Sequence, residues 1–150
     1  MNKLRWDTKH FNDLTPFGLY AVMRLRNEVF VVEQNCIFQD ADNKDQSCFH
    51  LLGYIGNDLA AYARLVPAGI TYEGKISIGR VITSPAYRQM GAGKALMIEA
   101  IENCYRLFGK QPIKMGAQLY LKNFYESFGF IQTSEVYDED GIPHIEMIKD

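Results

Sequence analysis

The stretch Ser77-Ile-Gly-Arg-Val-Ile-Thr-Ser-Pro-Ala-Tyr-Arg-Gln-Met-Gly-Ala-Gly-Lys-Ala-Leu96 decides the fold. It reads as the end of a strand over Ile76 to Thr83, a Ser84-Pro85 break, a short loop, the glycine pair Gly91 and Gly93, and a helix. Glycines let the backbone approach a ligand closely, and a helix start leaves N–H groups without partners. Those donors and the helix dipole suit a phosphate or pyrophosphate. Arg88 and Lys94 add positive charge at the same end. A Walker loop fails here, because Arg88 stands where its first glycine belongs and Ala95 where Ser or Thr belongs. A GxGxxG dinucleotide fingerprint fails at Leu96. What remains is Arg88-x-x-Gly91-x-Gly93 on a strand-to-helix turn, with a plain glycine-containing helix start as the other reading.

Upstream, a short strand is expected at Lys3 to Thr8, and Thr15-Pro16 is a helix cap followed by proline in the first turn. Tyr20, Met23, Asn27 and Phe30 continue at helical spacing. Asp40 to Asp45 is an acidic loop that lacks the glycine and bidentate Glu of a calcium loop. Phe49 to Ile55 and Leu59 to Val66 flank Gly56-Asn57-Asp58 as a hairpin. Downstream, the helix after Gly91 carries Leu96, Ala100, Ile101, Cys104 and Phe108 and stops at Gly109 and Pro112. A strand at Ile113 to Ala117, a helix at Leu119 to Phe128 and a hairpin about Asp140-Gly141 follow. Strands and helices alternate without strict βαβ regularity, which predicts a mixed α/β sheet.

At 150 residues, 47% apolar and 23% charged, the chain reads as one globular domain over 1–150 rather than a disordered one. No apolar run approaches a membrane span, and Met1 to Phe11 is too polar for a secretory leader. Cys36, Cys48 and Cys104 form no CxxC pair and are odd in number, which fits reduced thiols in the cytoplasm. With His10, His50 and His144 off zinc-ligand spacing, no metal is expected. The net charge of −2 argues against nucleic acid as a partner. It conceals a net +6 over residues 75–122 and −6 over residues 123–150. A basic block across the glycine turn points to an anionic ligand, a solvated helix face being the plainer explanation.

A second stretch, Gln118-Leu-Tyr-Leu-Lys-Asn-Phe-Tyr125-Glu-Ser-Phe-Gly129-Phe130, combines a strand end, a short helix and a Gly-Phe exit. Together the two stretches resemble the acetyl-CoA-binding core of the GNAT N-acetyltransferases. Arg88, Gly91 and Gly93 match the family's glycine loop. Phe124, Tyr125, Gly129 and Phe130 match its later pattern, with Gln118 filling the Asn position on a longer arm. Arg26-Asn-Glu-Val-Phe-Val-Val-Glu33-Gln34, His50-Leu, Gly79-Arg80-Val81, Ala117-Gln118-x-Tyr120-Leu121 and Glu139-Asp-Gly-Ile-Pro-His144-Ile-x-Met147 resemble the family's ElaA-like branch.

The resemblance implies a mixed, V-splayed sheet flanked by about four helices, with acetyl-CoA held where two parallel strands part. It implies that the backbone of Val81, Ile82 and Thr83 bonds the pantetheine, with Gln118 nearby. The turn Arg88-Gln89-Met90-Gly91-Ala92-Gly93 would hold the pyrophosphate. Tyr125 would be the acid for the leaving thiol, against the alternative of an aromatic anchor. Glu33 and His50 are candidates for the base, and His144 sits in a similar motif. Arg26 and Arg80 are expected to pair with Glu28 or Glu33, or to bind an anionic part of the acceptor. The Asp40 to Asp45 loop and the Asp138-Glu-Asp140 turn would be solvated, or would attract a cationic amine. The activity implied is acetyl transfer to the primary amine of a small acceptor. A non-catalytic CoA-binding sensor is the alternative, and homodimer formation is left open.

Overall fold

The computed structural model describes residues 3–150, so Met1 and Asn2 of the polar leading stretch lie outside the described residues. Eight strands form one sheet: β1 (Arg5–His10), β2 (Phe49–Ile55), β3 (Asp58–Val66), β4 (Ile76–Thr83), β5 (Ile113–Gln118), β6 (Phe130–Gln132), β7 (Tyr137–Glu139) and β8 (Ile142–Lys149). The order is β1-β2-β3-β4-β5-β8-β6, with β7 also paired to β8. Only β4 and β5 run parallel; the other neighbours are antiparallel.

The helices are α1 (Pro16–Arg26), α2 (Ala92–Phe108) and α3 (Lys122–Glu126), with α1 running on into a π-wound segment over Asn27–Glu33. Thr15 Oγ1 accepts from the Gly18 N–H at 3.0 Å, and Pro16 opens α1 where its missing donor costs nothing. In the π segment the Gln34 N–H donates to the Val29 carbonyl and the Cys36 N–H to that of Val31. The expected first strand begins two residues later than Lys3. The expected Leu119 to Phe128 helix divides into a 3₁₀ turn, Leu119–Leu121, and the short α3.

Period-two alternation sends β3 into two cores. Ala61, Ala63 and Leu65 pack with Leu96, Met97, Ala100 and Cys104 of α2. Tyr62 packs on the opposite face with Val22 and Leu25 of α1. Both faces are covered, so β3 is apolar almost throughout. Each fully buried Leu or Ile contributes about 1.5–3 kcal/mol.

β4 and β5 pair only at Ile76↔Ile113 and Ser77↔Lys114; beyond that the two strands separate. The cause lies on the other edge of β4. The β3–β4 register shifts between Tyr62 and Arg64, and Arg80 has φ +50°. A residue in the left-handed region makes a bulge that bends its strand and increases the local twist.

Arg80 is held there by charge. Its Nε donates to Asp40 at 2.8 Å, and its Nη2 to the Asp40 carbonyl at 3.0 Å. Arg26, fully buried, donates to Asp40 and Asp45 at 2.7 Å each, and Arg64 donates to Asp42 and Asp45 at 2.8–2.9 Å. The expectations for these residues are therefore corrected. Arg26 and Arg80 do not pair with Glu28 or Glu33, whose partners are Arg24 and Arg88. Asp40 and Asp45 are buried at 5–6% exposure, not solvated, because three guanidinium groups compensate the desolvation.

His50 is also corrected. It is fully buried in this network, with Nδ1 2.6 Å from the Tyr62 hydroxyl and Nε2 2.9 Å from the Asp45 carbonyl oxygen. Sealed in the core with no face on the cleft described below, it has no access to a substrate and cannot serve as the base.

Stability should fall in two stages as pH is lowered. Burial depresses the proton affinity of His50, so its contribution is complete above the unfolded value of about 6.5 and is lost as pH falls below it. Burial pushes Asp42 and Asp45 up, but hydrogen bonds and charge from Arg64 and Arg26 outweigh it and hold both below the usual carboxylate range. Their contribution is complete above about pH 3.9 and is lost below it. In urea titrations His50→Gln should abolish the first stage and keep the second; an unchanged slope between about pH 7 and 5 would show that His50 is hydrated in the folded state. Arg26→Ala, which takes from the buried Asp40 and Asp45 one of their two guanidinium partners each, should cost about 3 kcal/mol in the same assay.

Candidate active site

The separation of β4 from β5 opens a cleft of about 1030 Å³ through the middle of the sheet. One wall is β4, including Val81, Ile82 and Thr83, whose edge toward β5 carries no ladder partner beyond Ser77. An unpaired strand edge offers N–H and C=O groups to an extended amide-bearing chain. The opposite wall is the end of β5 with Gln118, followed by Phe124 and Tyr125 of α3. The π-wound segment brings Phe30, Glu33 and Gln34 over the opening.

At one mouth the glycine turn leads into α2. Gly91 has φ +70°, provides no side-chain cap, and has nothing within 4 Å of where a Cβ would sit. The first turn of α2 thus meets open space with its N–H groups forward, which is the arrangement that holds phosphate. Arg88, Gly93 and Thr83 line the cleft; Ala92 is buried, and Gln89, Met90 and Gly91 lie on the exposed turn outside its lining.

Arg88 and Glu33, which the sequence assigns to different tasks, face each other. The Arg88 guanidinium donates to both Glu33 oxygens at 2.5 and 2.7 Å. The hydrogen bonds from Arg88 lower the proton affinity of Glu33, which works against the base role given to it. Both side chains are about 40% exposed, so the pair is a weak tie that an incoming anion can open.

Tyr125 lines the cleft and is otherwise buried, packed edge-on against Phe124 and Phe130. Burial, with a smaller contribution from Tyr120, pushes its phenol well above the ordinary value, so the hydroxyl keeps its proton at neutral pH. The Gln118 amide faces that of Gln34 at 3.3–3.4 Å, its extra methylene reaching the π-wound wall.

Sequence reasoning marked the far end of the cleft only by the Asp138-Glu-Asp140 turn, solvated or attracting a cationic amine, and by His144 in a branch-like motif. There His144 on β8 stands opposite Gln118, with Nε2 3.3 Å from a Glu139 oxygen and Nδ1 2.8 Å from the Ile142 carbonyl oxygen. Gly116 beside them cannot be larger without movement: a Cβ would meet the Tyr137 hydroxyl at 3.1 Å and that of Tyr72 at 3.5 Å. The available signal was alternation along β8, which puts His144 and Glu146 on one face and Ile145 and Met147 in the core.

Comparison with known proteins agrees with this geometry. The family model described as "Acetyltransferase (GNAT) domain" matches residues 26–150. Protein ElaA of Escherichia coli is 44% identical over 149 residues, covering 98% of this chain and 97% of that protein. Its crystal structure superposes with a TM-score of 0.92 at 43% identity, covering 99% of this chain and 100% of that one. An acyl-CoA N-acyltransferase from Pseudomonas aeruginosa gives 0.92 at 42% identity, with the same coverage. A Bacillus subtilis acetyltransferase in complex with CoA, 20% identical with a TM-score of 0.66 and 99% coverage of both chains, shares the fold. This chain belongs to the GNAT acetyltransferase family, whose members use acetyl-CoA, and ElaA is among its relatives.

Gly91→Ala and Gly91→Asp both put a side chain on the left-handed backbone, which Asp tolerates somewhat better than Ala, and they differ in charge. In equilibrium dialysis with CoA, Gly91→Asp should bind at least about tenfold more weakly than Gly91→Ala, a difference of ~1.4 kcal/mol. Equal affinities would remove the turn from the phosphate site.

Proposed function

We propose that this chain transfers the acetyl group of acetyl-CoA to a primary amine by direct attack on the thioester. The observation that carries the reading is the parting of β4 and β5, which puts an unpaired strand edge, a phosphate-competent helix start and a protonated tyrosine around one cleft. In this reading the backbone of Val81, Ile82 and Thr83 bonds the pantetheine. The Arg88 to Gly93 turn bonds the pyrophosphate, which competes with Glu33 for Arg88. The Gln118 amide borders the thioester.

Two proton transfers set the chemistry. An alkyl ammonium has a pKa near 10.4, so freeing the amine at pH 7 costs about 4.6 kcal/mol; a thiol near 8.5 needs only about 2 kcal/mol of help. Removing the ammonium proton is the larger task. A phenol as basic as that of Tyr125 gives up its proton to a thiolate only uphill. Its main contribution is then a hydrogen bond to the sulfur as negative charge develops. All three cysteines are buried and free, which supports a reducing, cytoplasmic setting. Among the described residues no helix is long and apolar enough to cross a membrane.

Thiol release from acetyl-CoA, screened against polyamines, amino acids, aminoglycosides and peptides, tests the activity; a chain that binds CoA but acetylates none of them is the sensor instead. Tyr125→Phe should reduce kcat about tenfold with acetyl-CoA affinity retained. Turnover equal to the unsubstituted chain at every pH would leave Tyr125 as a packing residue.

A further inference from the structure

His144 sits in the wall of the cleft, 8% exposed, between the ends of two strands: Gln118 of β5 lies opposite it on one side and Tyr137 of β7 on the other. The Tyr137 ring lies against the imidazole with centroids 5.9 Å apart and planes 31° from parallel, which fixes the plane of the ring. Both ring nitrogens face acceptors, the Ile142 carbonyl oxygen at Nδ1 and the Glu139 carboxylate at Nε2. A neutral imidazole has one N–H and serves only one acceptor, whereas the protonated ring serves both. The Ile142 carbonyl is the nearer acceptor, 2.8 Å against 3.3 Å, and takes the proton of Nδ1. The neutral ring therefore presents its lone pair at Nε2, beside a carboxylate that stabilises the ring once protonated.

The geometry points to the His144–Glu139 pair as the acceptor of the substrate's ammonium proton, an assignment that rests on the amine acetylation proposed above. The ammonium gives one proton to Nε2 of His144 and becomes a free amine. The amine lone pair forms the N–C bond at the thioester carbonyl, and the C–S bond breaks with its electron pair leaving on sulfur. The amide nitrogen sheds its second proton, and the sulfur takes one up as CoA thiol. The proton on His144 leaves by way of Glu139, which is 58% exposed at the side chain, to solvent. His144 is the catalytic residue, and Glu139 positions and charges it.

Glu139 and Tyr137 of β7 contact the ring, Gln118 of β5 is its strand neighbour, and Asp140, in the turn between β7 and β8, lines the same end of the cleft. Further along the same face stand Glu146, Lys114 and Tyr72, with Lys114 bound to Glu146 at 3.6 Å. Among the described residues only Glu139 brings an acidic oxygen within 4 Å of the ring. A general base must be free of its proton to accept one, so loss of that capacity at low pH is the acid limb of the rate profile.

The test is thiol release from acetyl-CoA between about pH 6 and pH 9, with spermidine, kanamycin, glycinamide and a peptide with a free N-terminus as probes. CoA affinity is measured alongside by dialysis. His144→Gln should lower kcat/KM about 100-fold and remove the acid limb, with CoA affinity within about twofold. Glu139→Gln, at an exposed position that folding tolerates, should move the limb to lower pH, because the imidazolium loses its stabilising charge. Variants that lose activity evenly across pH, or whose limb stays in place, would overturn the assignment and leave acetyl transfer standing. An unsubstituted chain that binds CoA but releases no thiol with any probe would overturn both.

Discussion

Everything about the cleft depends on one awkward residue held in place by charge. Arg80 adopts a left-handed backbone in the middle of a strand, a conformation that costs a non-glycine residue roughly 1–2 kcal/mol. Two acidic side chains and a backbone carbonyl of the 40–45 loop hold its guanidinium, and the same aspartates satisfy Arg26 under α1 and Arg64 on β3. Three arginines and three aspartates thus tie a loop, a helix and two strands to one point. The bulge they fix turns β4 away from β5, and that divergence is the cleft. The one buried side-chain nitrogen without a partner among the described residues, Nε of Arg64, lies in this cluster. Every other buried side-chain donor of the set is matched, as burial requires.

The cleft divides the chemistry between its ends. The basic middle of the chain, residues 75–122, forms the strand, turn and helix at the mouth that carries the glycine turn. The acidic last segment supplies Glu139 and Asp140 at the other end. An anionic cosubstrate and a cationic acceptor would each meet a complementary field from its own side. Tyr125 lies in the wall between them, where a water-poor setting keeps its hydroxyl protonated.

Local chemistry made much of the architecture legible. Thr15-Pro16, Gly56-Asn57-Asp58, Gly109 and Asp140-Gly141 are punctuation that acts within a few residues, and the elements they bound fall within about two residues of expectation. The glycine turn was legible through motif spacing, and Tyr125 only through the family resemblance. Partnerships formed across the fold were not. Nothing near Asp40 or Asp45 in sequence announces that arginines 14 to 40 residues away will bury them. His50 and His144 look alike as strand histidines; only the sheet order shows that one is sealed under α1 and the other opens on the cleft. The short β6 was missed because three residues carry too little periodicity to read.

The π-wound segment has a consequence of a different kind. An α-helix advances about 100° per residue, and a π turn holds one residue more than the helix needs. That surplus residue between Asn27 and Glu33 sets the rotation of all that follows it before the chain leaves for the acidic loop. Removing it would restore regular α-winding and swing Glu33 and Gln34 about a quarter turn away from Arg88 and Gln118. The wall over the cleft opening is therefore specified by a count of residues as much as by their identity. Relatives could remodel it through a single insertion or deletion while leaving the sheet, the ion cluster and the glycine turn untouched.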